Sequence, residues 1–392
     1  MYNFSIIPLN CFFMAVTITP ISNTSKKDLK KFILFNYNLY KGNKYAVPEL
    51  YDDLMNTFMP SKNAAYDFCE SQFFLAYKDD KLVGRVAAII NHKANDTWKK
   101  KTVRFGWIDF VDDIEVSKGL LDAVEKWGKE KGMEEVEGPL GFTDFDREGM
   151  LIMGFDQLGT MASYYNYPYY PEHMSKLGFE KAADWVEFKV FPGNGIPEKF
   201  QRICDLTKQR YNLRILTYSS KKKLKEERGK EIFDLMNEAY APLFGYSALS
   251  EKQIDQYIKS YLGFLDLRLV PLVVNEKNEL IGVGIVMPSL SKALQRAKGA
   301  RNIFGYIPLA WSLYVKHAKN IDMLLIAVKP EYQGRGVNAL IMSHLLPVYH
   351  KLGYEFAESN PELEVNNKVQ SQWDYFPHEN HKRRRAFVKP IE

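Results

Sequence analysis

At 392 residues the chain is too long for one typical core and suits two domains of ordinary size. Its 46% hydrophobic and 26% charged residues exclude a disordered polymer, and a net charge of +5 falls short of a dedicated nucleic-acid binder while favouring an anionic ligand. Three widely separated cysteines, Cys11, Cys69 and Cys204, form neither a disulfide framework nor a metal cluster and suit a reducing cytoplasm.

The opening stretch MYNFSIIPLNCFFMAVTI is apolar but has no Lys or Arg ahead of it, is interrupted by Pro8 and Asn10, and is too short to span a membrane. A signal peptide is not expected, Met14 reads as a natural start, and no later segment reaches eighteen apolar residues, so the expectation is a soluble protein without membrane contact. Lys26 to Leu39 is helix-like. Phe73–Tyr77 and Leu82–Ile90 read as strands joined across Asp79-Asp80, with a further strand from Val103 to Val111 and a helix from Ser117 to Lys131 closed by Gly132. Asp144-x-Asp146-x-Glu148-Gly149 begins like a calcium loop, but Ile152 and Phe155 stand at the ninth and twelfth positions; a polar loop lining an interdomain groove is expected instead. The run Tyr164 to Tyr170 is either packed core or the wall of an acceptor pocket. Val186 to Phe191 looks like the last strand of this half.

Pro192-Gly193-Asn194-Gly195-Ile196-Pro197 is the strongest punctuation in the chain. It divides residues 1–192 from a connecting helix within 193–212 and a second domain at 213–392. The second half repeats the plan: a strand from Leu213 to Tyr218, helices over Lys230–Tyr240 and Ser250–Tyr261, then a hairpin of Leu269–Val274 and Leu280–Met287. KDDKLVGRVAAI and NEKNELIGVGIV fall at matching places in the two halves, as in a structural repeat. An apolar run from Met323 to Val328 then enters the turn Gln333-Gly334-Arg335-Gly336-Val337-Asn338, and Ala339, Leu340, Ile341, Met342, Leu345 and Leu346 follow at helical spacing. Strand, glycine turn and helix in that order put free backbone N–H groups and a helix dipole where an anion can meet them.

Val328-x-Pro330-x-Tyr332-Gln333-Gly334-Arg335-Gly336 resembles the pyrophosphate loop of the GNAT superfamily of acyl-CoA-dependent N-acyltransferases, with Asn338 replacing its final small residue. The segments that follow, Asn338–Lys351, Tyr354–Ser359, Asn366–Phe376 and Arg384–Val388, resemble the superfamily's helix, fifth strand, Asn-led helix and closing hairpin. The first half resembles the same fold without the loop, since Asp112, Asp113 and Glu115 stand there and repel a pyrophosphate; Tyr169 to Phe179 resembles its late helix.

The resemblance therefore implies an α/β fold, an α+β mixed sheet in two tandem GNAT-like domains, the second binding acetyl-CoA or another acyl-CoA. Gln333, Gly334, Arg335, Gly336, Val337, Asn338 and Ala339 would hold the phosphates. Ile326, Ala327 and Val328 would line the pantetheine, through the carbonyls of Ile326 and Val328. Glu358, at the end of the fifth strand, is the expected general base. Trp373 fills the slot of the superfamily's acidic Tyr, which leaves Tyr375 as the candidate acid. No metal is expected. The implied activity is N-acylation, most readily acetylation, of an amine on a small molecule or peptide. A Fem-like aminoacyl transferase and a non-catalytic acyl-CoA sensor or scaffold are the alternatives, and exposed sheet edges leave a homodimer open. The basic run His381 to Arg385 is expected to be a solvated turn or a coenzyme phosphate contact rather than a nucleic-acid site.

Overall fold

The structure, a computed structural model, describes residues 15–193 and 195–392; the readings made on Cys11, on Met14 and on the apolar stretch before it lie outside them. The first half contains strands β1 (Thr17–Ile21), β2 (Cys69–Lys78), β3 (Lys81–Asn91), β4 (Thr102–Phe110), β5 (Glu135–Gly138), β6 (Met150–Met153) and β7 (Glu180–Val190). Helices α1 (Lys26–Leu39), α2 (Tyr51–Phe58), α3 (His92–Trp98), α4 (Ile114–Glu130) and α5 (Tyr169–Lys176) join them. After the linker helix α6 (Glu198–Tyr211) come β8 (Arg214–Leu216), β9 (Leu272–Val274), β10 (Leu280–Pro288), β11 (Asn320–Val328), β12 (Phe356–Ser359), β13 (Glu362–Leu363) and β14 (His378–Pro390). They alternate with α7 (Lys221–Tyr240), α8 (Glu251–Tyr261), α9 (Ser291–Ala297), α10 (Ile307–Tyr314), α11 (Val337–Leu352) and α12 (Asn367–Gln370).

The two halves repeat one plan. In each, four antiparallel strands are followed by a helical crossover to a parallel fifth: β1-β2-β3-β4 with β5, and β8-β9-β10-β11 with β12. The echoed hairpins have a physical cause. A Cβ on Gly84 would lie 2.8 Å from Leu120 of α4, and one on Gly282 would lie 2.8 Å from Val337 of α11. Each glycine thus marks a place where the crossover helix lies close against its sheet.

The described residues form one continuous sheet, ordered β1-β2-β3-β4-β5-β14-β7-β12-β11-β10-β9-β8. The halves exchange their last strands. β7, from the first half, pairs with β12, while β14, the end of the chain, pairs with β5 and β7. This changes the reading of the basic run. His381, Lys382 and Arg384 are buried in the middle of the sheet, not on a solvated turn or a phosphate. Arg384 Nε lies 2.5 Å from Glu187 and Lys382 Nζ 2.9 Å from the same carboxylate, while Arg383 and Arg385 reach Asp184 at 2.8 and 2.7 Å. Cationic side chains on β14 meet carboxylates on β7 directly across the ladder, the arrangement that makes a buried charge tolerable.

Two other expectations change. The helix expected over Asn366–Phe376 is only α12 and a 3-10 turn at Trp373–Tyr375, because the preceding segment is drawn onto β7 as β13. The Tyr164–Tyr170 run is packed core: Tyr170 stacks on Phe110 at 4.2 Å and Tyr167 on Tyr40 at 5.1 Å.

Candidate active site

β11 ends in a 3-10 turn at Pro330–Tyr332 and then a glycine turn, with Gly334 at φ +73° and Gly336 at φ +82°. Only glycine holds such angles without strain, and Gly336 is also hemmed in, since a Cβ there would lie 2.3 Å from Thr207 Oγ1 on α6. α6 clamps the loop from behind. Thr207 Oγ1 donates to the Arg335 carbonyl (3.1 Å), and the Arg335 guanidinium lies over Tyr211 and Tyr332. No side chain caps α11, so the first-turn amides of Val337, Asn338 and Ala339 keep the unsatisfied donors of a helix start. The equivalent helix of the first half differs. Asp113 caps α4, accepting from the Glu115 N–H at 3.0 Å and pairing with Lys78 at 2.6 Å. One helix start carries its own anion; the other is open to one.

β11 and β12 pair only from Asn320 to Met323 against Phe356 to Ser359. A bulge at Leu324, opposite the Ile285/Val286 step of β10, bends β11 away, and the strands splay. The Asn360 side chain bridges the root of the splay, donating to the Leu324 carbonyl (2.9 Å). The Lys329 N–H donates to Ile281 on β10 (2.9 Å), so by alternation the carbonyls of Ile326 and Val328 face the opposite edge. There they accept from Tyr240 Oη (2.9 Å) and Gln333 Nε2 (3.2 Å). Ala327 is buried in the ladder.

From the splay a cavity of about 700 Å³ extends between the two halves, large among ligand sites. Its walls are mostly apolar: Met236 of α7, Ile258 of α8, Leu313 of α10, Leu324 and Ile326 of β11, Met342 of α11. Asp144, Asp146 and Glu148, of the loop expected to line a groove, border this cavity too. Burial raises Asp144 to about 6 and Asp146 to about 7, and lifts Glu148 well above the carboxylate range.

Glu358 does not line this cavity. It lies in the buried ionic cluster with Lys382 across it, and His381 Nε2 is 3.3 Å away. Burial raises its pKa while the Lys382 ammonium opposes that shift. Glu187, Glu358 and His381 converge closely enough to hold a metal ion, but the Lys382 ammonium contacts both carboxylates and takes the place of a cation. Tyr375 is elsewhere too, packed edge-on against Phe200 of the linker helix at 5.5 Å.

The carboxyl that does line the cavity at the splay is Glu362, four residues beyond Glu358. Trp373 Nε1 donates to its two oxygens at 3.1 and 3.3 Å, so the residue in the expected tyrosine slot orients a carboxyl instead. Burial pushes Glu362 up to about 8, against the pull of that indole N–H. The one sequence signal for it was Pro361, which stops β12 and turns the next residue out of the strand.

Two halves of meander plus parallel crossover, a splayed strand pair and a glycine-entered helix define the tandem form of the GCN5-related N-acetyltransferase (GNAT) fold, and this chain has it. A tandem GNAT protein from the clavulanic acid biosynthesis pathway superposes with a TM-score of 0.56 over 96% of this chain and 99% of that one, at 9% identity. A GCN5-related glucosamine N-acetyltransferase region of a fungal multi-domain β-N-acetylglucosaminidase gives 0.54 over 96% of this chain and 38% of that one, at 12% identity. In sequence, the chain is 25% identical to protein YghO of Escherichia coli K12 over 379 residues, 94% of each chain. It is also 25% identical to the bacterial ceramide synthase of Caulobacter vibrioides over 370 residues, 90% of this chain and 92% of that one. No family model matches.

Proposed function

We propose that this chain is an acyl-CoA-dependent N-acyltransferase whose acceptor is the primary amine of a long-chain aliphatic base, joined to a fatty acyl group in an amide bond. The observation that carries the reading is the large, mostly apolar cavity reaching the β11/β12 splay, where Glu362 and Trp373 form one polar site and Asp144, Asp146 and Glu148 another. An acetyl group and a small polar amine would leave most of that volume unused, whereas alkyl chains gain about 0.8 kcal/mol for each methylene they bury. The 25% identity to a protein named for ceramide synthesis points the same way.

The residues at the loop fit an acyl-CoA: the uncapped start of α11 offers amides to the pyrophosphate, and the splayed edge of β11 presents the Ile326 and Val328 carbonyls, whose hydrogen bonds from Tyr240 and Gln333 would give way to the pantetheine amides. Acyl-CoA supplies the thioester carbonyl carbon. Glu362, as carboxylate, takes the proton from the attacking amine, the C–N bond forms, and the C–S bond breaks. The leaving thiol has a pKa near 8.5, so its thiolate departs without an obligatory acid, and the lack of a phenol at the Trp373 slot is no obstacle. Trp373 holds Glu362 toward the cavity. Lys382 and Glu358 hold the shared strands in place.

The test is thiol release and amide formation, followed by mass spectrometry, across acyl-CoAs from acetyl to palmitoyl paired with short and long primary amines. The expected result is turnover that requires both a long-chain amine and an acyl-CoA. Turnover confined to acetyl-CoA with small polar amines, or no turnover with any pair, would overturn the reading.

A further inference from the structure

The cavity has an unusual rim. The 3-10 turn Ile303–Tyr306 and helix α10 are apolar on both faces: Leu309 and Leu313 turn toward the cavity, while the outer face is left to solvent. Ile303 is 76% exposed, Phe304 74%, Trp311 54% and Tyr314 72%, with Ile307 and Val315 also exposed. Tyr261 and Phe264, from the end of α8, line the same cavity and are half exposed. A helix that is apolar all round is normally buried, and exposed groups of this size mark a binding surface.

Charge identifies what covers it. Between Glu279 and Asp322 the sequence has no Asp or Glu and six Lys or Arg: Lys292, Arg296, Lys298, Arg301, Lys316 and Lys319. All six are exposed, and among the described residues Lys319 alone pairs with a carboxylate, Glu355. Asp52 of the adjacent α2 accepts from Tyr306 Oη (2.9 Å) at the edge of the patch. Aromatic and branched aliphatic tips that share an acid-free segment with five unpaired cations complement an anionic lipid interface, where rings settle at headgroup level and cations meet phosphate. A protein partner would need an apolar surface ringed by acids; a second copy of this patch would set cation against cation.

We propose that the α10 face docks the protein on an anionic bilayer surface and opens the cavity toward the lipid, so that no spanning helix is needed. This replaces the expectation of no membrane contact. The docking rests on the patch itself; delivery of a long-chain amine from the bilayer to Glu362 rests in addition on the proposed activity.

Co-sedimentation of the full chain with phosphatidylcholine vesicles, with and without a phosphatidylglycerol fraction, reads the docking without any turnover. The expected result is binding to the anionic vesicles only, lost in high salt, where screening shortens to about 3 Å at 1 M. F304E with W311E should abolish binding, and R301E and K316E should each weaken it roughly five-fold or more. These side chains are exposed, so circular dichroism should show unchanged folding. Three results would each overturn the proposal: equal sedimentation with neutral and anionic vesicles, unchanged binding in the variants, or a concentration-dependent dimer in light scattering that F304E with W311E dissolves. Docking without turnover would sink only the activity; turnover without docking, only the docking.

Discussion

Glu362→Gln should remove catalysis and raise stability together, and the reasoning for both is electrostatic. Burial holds this carboxyl at about 8 in the folded protein, against an ordinary value of 4.5. At pH 7 the folded chain keeps the group protonated, at a cost of about 2.5 pH units, or about 3.4 kcal/mol at 1.36 kcal/mol each. The carboxyl borders a cavity that water enters, so screening reduces this to roughly 1–2 kcal/mol. Because the folded pKa lies above the unfolded one, wild-type stability is full below about 4.5 and declines as pH rises toward about 8. Glutamine keeps the Trp373 hydrogen bond and has nothing to titrate. The variant should therefore melt on the order of 2–5 °C above wild type at pH 7, with a gap that widens from pH 5 to 8. Its kcat/KM should fall about 10²–10⁴-fold, while the wild-type profile rises with pH to a plateau above about 8. Scanning calorimetry at several pH values beside a thiol-release assay reads both effects. A variant that retains turnover within about ten-fold, or a melting gap that does not change with pH, would refute the argument.

In a series of primary amines, four added methylenes at about 0.8 kcal/mol each should raise kcat/KM roughly 200-fold, provided the cavity holds the chain; a flat series would deny it that role. Gly334 has a left-handed backbone with open space around it. Gly334→Asp should keep the fold but set a carboxylate beside the phosphate amides. The thermal shift from acyl-CoA, about 2.7 kcal/mol at a hundred times its dissociation constant, should then vanish. Lys382→Met leaves Glu187 and Glu358 buried without their shared cation, and denaturant unfolding should record a loss of about 3–5 kcal/mol. Glu187, which burial alone would raise, is held at about 2 by Arg384 and Lys382, so wild type should keep its contribution above pH 4.5 and lose it as pH falls toward 2.

The elements were legible because their signals are local. α1 and α6 begin and end where their apolar spacing and flanking residues indicate, and the Asp79-Asp80 turn shows φ values of 53° and 59°. The glycine turn was legible for the same reason, since two glycines between an apolar strand and an apolar helix leave few alternatives. α9 and α10 escaped: both are short, and α10 in addition lacks a polar face to give it a period. The strand exchange could not be read at all: β14 carries the same unbroken run of cations whichever neighbour answers them, and Asp184 and Glu187 lie about two hundred positions away. That pairing turned a basic run into core. The expected base, Glu358, does not face the cavity, because the alternation of β12 points it to the ionic cluster, while the break at Pro361 leaves Glu362 on the cavity wall.

The shared strands also set an order of events during synthesis. The sheet of the first half is not whole until β14 slides between β5 and β7, and β14 leaves the ribosome after every other described strand. Until then two strand edges stand open in the nascent chain, ready to pair with any extended segment nearby. A product stopped before residue 378 is therefore left with two incomplete sheets, and a chaperone that shields those edges serves the protein until β14 is made.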